Sequence, residues 1–199
     1  MEIAVNQNNS GLLEMRNNIS TGGNPTHFSS RNMLAQNIKI FDASQTRLKV
    51  KISRNFPWFL PNFTLTREDN STLQFQSKSL LKMHFICKSG QDVYEIFGHK
   101  GWKYSVFKNN VQVAWFEKGG TTSWSPNNNF TIIADSDADT DLIISFCLII
   151  EWQFNINRQN DMGRWENMNV FGDGKEFKVK DTGNIGPVAR QFDQNWQPK

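Results

Sequence analysis

Apolar and polar residues alternate with period two through much of the chain. Leu48, Val50 and Ile52 interleave with Lys49 and Lys51, and Leu73 and Phe75 with Gln74 and Gln76. Successive side chains of an extended chain point to opposite faces, so these stretches predict strands with one face in a core and the other in water. Similar apolar openings recur at Ile38-Lys39-Ile40, Phe63-Thr64-Leu65, Phe85-Ile86-Cys87, Tyr104-Ser105-Val106 and Phe130-Thr131-Ile132, each about two dozen residues or fewer from the next. So short a spacing leaves no room for crossover helices and predicts a series of antiparallel hairpins.

Turn-forming residues fall between the two strands of each unit, at Asp42-Ala43-Ser44, Glu68-Asp69-Asn70-Ser71, Ser89-Gly90-Gln91-Asp92 and Lys108-Asn109-Asn110. Asn, Asp and Gly there supply left-handed or side-chain-capped turns. The stretch Phe56-Pro57-Trp58-Phe59-Leu60-Pro61 and the glycines Gly98, Gly101, Gly119 and Gly120 suit barrel rims, bends and edge strands.

The pattern changes between Asp141 and Phe154. Leu142, Ile143, Ile144, Phe146, Cys147, Leu148, Ile149, Ile150 and Trp152 are apolar on every side of a helical wheel, which predicts a buried helix near residues 140–154 with Leu142, Ile143, Phe146, Cys147 and Ile150 in the core. A membrane span needs about 20 apolar residues. Asp141 and Glu151 bracket only nine, so no transmembrane span is expected. The resulting fold class is mainly β: an antiparallel barrel of hairpins around one buried helix near the C-terminal end. Residues 1–32 are polar and read as an N-terminal arm, 33–157 as the barrel with its helix, and 158–199 as an extension with one hairpin at Gly172-Asp173-Gly174 and a tail.

Composition supports strands over long surface helices, with 16 Phe and 7 Trp but only 21% charged residues in a chain of 199. No basic stretch followed by an apolar run opens the sequence, which predicts an intracellular protein. Cys87 lies in a strand pattern and Cys147 in the apolar helix, so both are expected as buried free thiols.

The segment Asn129-Phe130-Thr131-Ile132-Ile133-Ala134-Asp135-Ser136-Asp137-Ala138-Asp139, followed directly by Leu142 to Phe154, resembles the closing strand and central helix of the tubby C-terminal-like superfamily, which includes phospholipid scramblases and LURP-one-related proteins. The hairpins upstream, with strands such as Val111 to Phe116, are similar to that family's barrel strands, so the resemblance covers about Met33 to Phe154. It implies a barrel of about twelve strands around a C-terminal helix. The chain departs from the pattern in lacking the Pro-rich and Cys-rich segments of animal scramblases and in having about 45 residues after the helix.

Two groups of residues are candidates for chemistry. Asp135, Asp137, Asp139 and Asp141 alternate just before the helix, where the resemblance implies a Ca²⁺ site and where hard oxygen ligands would suit that ion. Counting from Asp135 as an EF-hand loop, however, puts Thr140 at the glycine position and Phe146 at the final glutamate. The bland reading is that Asp139 or Thr140 caps the helix while the other acids favour its positive end.

The second group comes from charge. The net +3 of the chain hides a segment from Arg47 to Lys118 with twelve cations against five acids, while residues 119–157 carry −5. A basic barrel half attracts anionic lipid headgroups or nucleic acid. The resemblance implies phosphoinositide binding, and Lys49 and Lys51, which point the same way from one strand, with Arg54 at its end, are the candidate phosphate site. The bland reading is that lysines on strand faces prevent aggregation.

Nothing points to an enzyme. His27, His84 and His99 form no Ser/His/Asp or Cys/His order, and His84 lies three residues from Cys87, on the opposite face of a strand. The expectation is a non-enzymatic module, cytoplasmic and peripheral at the membrane, that binds anionic phospholipids, with no cofactor other than Ca²⁺ considered. The rival is a protein- or nucleic-acid-interaction module using aromatics such as Trp102, Trp115 or Trp124, although a barrel should hold most of these inside.

Overall fold

Twelve strands and one helix account for the architecture of the computed structural model, which describes residues 1–9, 14–32, 34–55, 61–79, 83–99, 102–119, 129–160, 192–193 and 195–199. The strands are β1 (Glu2–Asn9), β2 (Glu14–Thr21), β3 (Asn24–Asn32), β4 (Asn37–Asp42), β5 (Leu48–Asn55), β6 (Asn62–Arg67), β7 (Thr72–Ser79), β8 (His84–Ser89), β9 (Asp92–His99), β10 (Lys103–Lys108), β11 (Val111–Lys118) and β12 (Phe130–Ala134). Each pairs antiparallel with its sequence neighbours, and β1 pairs with β12 to close the barrel. Closure leaves no unpaired sheet edge. All five predicted apolar openings and the return strands β5 and β7 stand where alternation placed them.

The turns at one end of the barrel are tight. Asn109 and Asn110 both adopt left-handed backbone, with φ of 48° and 72°, as a two-residue turn matching the twist of β10 and β11 requires. Asn70 and Gly90 supply the same conformation at the neighbouring turns.

α1 (Thr140–Asn160) starts at that end and fills the barrel. Every residue from Leu142 to Gln153 is buried, which a helix achieves only when covered on all sides. Phe146 packs between Phe75 of β7 and Tyr94 of β9 at 5.6 Å from each ring, and Trp152 meets Phe63 of β6 at 5.4 Å. Leu142, Ile143, Phe146, Cys147 and Ile150 are inaccessible to solvent, as expected. Among the described residues no helix is long and apolar enough to cross a membrane.

The described residues of the first 32, 1–9 and 14–32, do not form an arm. They are β1, β2 and β3, and Ile3, Val5 and Ile19 belong to the core. The pattern misled because the lumen side of β3 is polar. His27, Ser29 and Arg31 alternate inward and meet polar partners instead of the apolar helix face: Nε2 of His27 lies 2.9 Å from Asp141 Oδ1, Asn17 Nδ2 donates to Ser29 Oγ at 2.9 Å, and Arg31 pairs with Glu151 at 3.7 Å. Four strand residues span about 13 Å and ten helical residues about 15 Å. The hydrogen bond of His27 to Asp141 and the ion pair of Arg31 with Glu151 are therefore spaced alike on both elements, and they fix the helix along β3. The hairpin expected at Gly172-Asp173-Gly174 and the stretch from Phe56 to Leu60 lie outside the described residues, as do Gly101, Gly120 and Trp124.

Candidate anion-binding face

Strand register decides which cations share a surface. On β5, Val50 and Ile52 point into the lumen and are fully buried, so Lys51 points outward. Arg54 has the parity of Val50 and Ile52 and is registered opposite the buried Phe63, so it stands on the lumen side and not with Lys49 and Lys51. The expectation that Arg54 completes their site is corrected by this alternation. Lys49 is the extra residue of a bulge between β4 and β5. It faces outward, but its Nζ lies 3.4 Å from Glu68 Oε2, and Glu68 also binds Arg47.

The register adds Lys39, a residue outside the basic segment from Arg47 to Lys118. Lys39 of β4 is the direct cross-strand partner of Lys51, and both are exposed. Ser30 of β3 flanks Lys39 and Thr66 of β6 flanks Lys51, giving the outward row Ser30, Lys39, Lys51, Thr66. Neither lysine has an ion-pair partner among the described residues. Like charges directly opposite each other destabilise a strand pair, and two hydroxyls beside two ammonium groups form a set of donors suited to an anion. The alternation Ile38-Lys39-Ile40 was the available sequence signal for Lys39.

The other candidate group is divided among separate partners. Asp139 caps α1, accepting from the Leu142 backbone N–H at 3.1 Å, and also binds Arg67. Asp135 is buried and accepts from the Lys199 backbone N–H at 2.7 Å. Asp137 is exposed in the bend between them. Asp141 turns to His27, whose hydrogen bond holds its carboxyl below the usual range. Among the described residues no three acidic, histidine or cysteine side chains converge to hold a metal ion. A cleft of about 490 Å³ opens at this end of the barrel, lined by Lys199 and by two cations that are already neutralised, Arg67 by Asp139 and Lys108 by Asp92 at 2.9 Å.

No family model, curated protein or solved structure matches the chain.

The remaining candidates fall as follows. Cys87 is buried on the lumen side with its thiol pushed up to about 12 by burial, whereas His84 faces outward, stacked on Phe97 and 3.1 Å from Glu95. His99 pairs with Ser105 Oγ at 2.7 Å. Trp115 lies on the outer wall, contrary to expectation, because Ala114 and Phe116 take the lumen side. Trp102 is likewise only partly buried.

Proposed function

We propose that the chain is a non-enzymatic module that docks on the cytoplasmic face of membranes by binding anionic phospholipid headgroups, phosphoinositides among them, on the outer wall of β4 and β5. The supporting observation is the registered pair Lys39 and Lys51, two exposed cations held opposite each other with no acid among the described residues to neutralise them. A headgroup phosphate between the two ammonium groups would relieve their repulsion and accept hydrogen bonds from both. Resemblance to tubby-like domains, which bind phosphoinositides, supports the same reading.

The test is binding to phosphoinositide vesicles at low and physiological salt. At about 1 kcal/mol for each lysine near an anionic surface, Lys39→Gln with Lys51→Gln should weaken binding about 30-fold and flatten its salt dependence. Unchanged binding by the double variant would refute the assignment.

A second reading, a protein-interaction surface, is favoured by Phe192. Its ring lies against His99 at 5.2 Å, Lys103 at 5.4 Å and Trp115 at 5.9 Å, so the outer wall of β9 to β11 accepts an aromatic side chain from a peptide segment. Capture of a peptide spanning residues 192–199 by a chain lacking that segment would support it.

A further inference from the structure

Two residues along the strands from the lysine row, the outer wall changes character. Ser29 and Ile40 point into the lumen, so Phe28 of β3 and Phe41 of β4 point outward; they are registered partners with ring centroids 6.5 Å apart. The bulge that displaces Lys49 pairs Phe41 with Leu48 and returns Leu48 to the outer face, where it is 37% exposed. Phe28, Phe41 and Leu48 thus form an apolar row beside Ser30, Lys39 and Lys51, about 7 Å away along the strands. The other outward positions of β4 and β5 are Asn37, Lys39, Lys49, Lys51, Ser53 and Asn55, all polar.

An apolar row on an otherwise polar wall loses hydrophobic stabilisation by staying in water. A partner covering both rows must be apolar where it meets Phe41 and Leu48 and anionic where it meets the lysines. An anionic bilayer presents these two layers at this separation, acyl chains beneath phosphates. We propose that Phe28, Phe41 and Leu48 are the membrane-inserting edge of the docking face. The β4 to β5 end of the barrel tips into the headgroup and acyl boundary, while Lys39 and Lys51 hold phosphates above it. The inference rests on the lipid reading above and adds to it an orientation and an apolar contribution to binding.

Both native thiols are buried, so a maleimide of an environment-sensitive dye can be directed to Leu48→Cys. Val111→Cys, at an exposed position six strands round the barrel, is the control. With phosphatidylserine-rich vesicles the dye at position 48 should shift to the blue and brighten, and the dye at position 111 should not. Phe41→Ser and Leu48→Ser should each weaken vesicle binding about tenfold while leaving its salt dependence intact. Leu48 is exposed enough that its variant keeps the test valid if Phe41→Ser fails to fold.

If the protein binds vesicles with the dye at position 48 still in water, the insertion is refuted and the headgroup site stands. If the unmodified protein binds no vesicle, both fall. Binding to a soluble polyanion such as heparin in place of vesicles would overturn both and assign the lysines to a polyanionic partner.

Discussion

Arg31 of β3 and Glu151 of α1 form an ion pair at 3.7 Å inside the barrel, with 3% and 7% of their side chains exposed. Arg31 also binds the Met15 sulfur, and burial pulls its pKa down against the field of Glu151. Removing one partner leaves an uncompensated buried charge, which costs about 3 to 5 kcal/mol, whereas replacing both by apolar residues is close to neutral. Arg31→Met alone should lower the urea midpoint severely. Arg31→Met with Glu151→Leu should recover most of the loss, and a double variant as unstable as the sum of the singles would show that the pair is not coupled.

A glycine fixes the packing of β9. A Cβ on Gly98 would stand 2.5 Å from Met83 Cβ and 3.2 Å from the Tyr104 ring, and the backbone cannot retreat because Gly98 N–H donates to Met83 O at 2.8 Å. Gly98→Ala should therefore cost about 1 to 3 kcal/mol. Gly119→Ala, whose Cβ would meet its nearest atom at an ordinary 3.6 Å, should stay within about 0.5 kcal/mol. Thermal unfolding of both variants makes the comparison.

The legibility of this fold followed what each strand packs against. β4 to β12 line an apolar helix, so most of their lumen positions are apolar, with Arg54 and Ser77 among the exceptions, and the alternation could be read directly. β3 faces the polar stripe of α1 at Asp141 and Glu151, so its lumen positions are His27 and Arg31, and alternation disappears from a strand that is as much part of the wall as the others. Such compensation is invisible until both elements are placed together. The candidate site divided in the same way. Lys51 was readable from one strand, and Arg54 could have been set apart by counting from Val50. Pairing Lys39 with Lys51 needed the register between strands, which the bulge at Lys49 shifts.

His99 makes stability fall on acidification. Burial lowers its pKa from 6.5 to about 4, so the folded protein holds it neutral while the unfolded chain takes up a proton below 6.5. Its contribution is complete above pH 6.5 and is lost as pH falls toward about 4. Its neighbours are the Ser105 hydroxyl and the Phe192 ring. Denaturant midpoints from pH 7 to 4 should drop more steeply for the natural protein than for His99→Gln, and parallel slopes would assign the acid sensitivity to other groups.

The two thiols should report global unfolding. Burial holds Cys87 near 12 and Cys147 far above its ordinary value, so neither supplies thiolate at neutral pH in the folded barrel. A disulfide reagent should find no reactive thiol in the native protein and two in denaturant. Rapid modification of Cys147 under native conditions would mean that α1 leaves the barrel by a sub-global opening.

Lys39 and Lys51 should show a conflict between folding and binding. Directly opposed like charges cost stability, and an opposed pair of unlike charges contributes about 0.2 to 1 kcal/mol, so Lys39→Glu should stabilise the barrel. The same change places a carboxylate beside Lys51, neutralises the row and should remove binding to anionic vesicles. Vesicles or a soluble inositol polyphosphate should raise the melting temperature of the natural protein, since a ligand that binds only the folded state stabilises it, and should leave that of Lys39→Glu unchanged. A variant that is more stable and still binds would place the anion site elsewhere. One that is less stable would show that solvent already screens the two lysines, removing the physical reason for an anion between them.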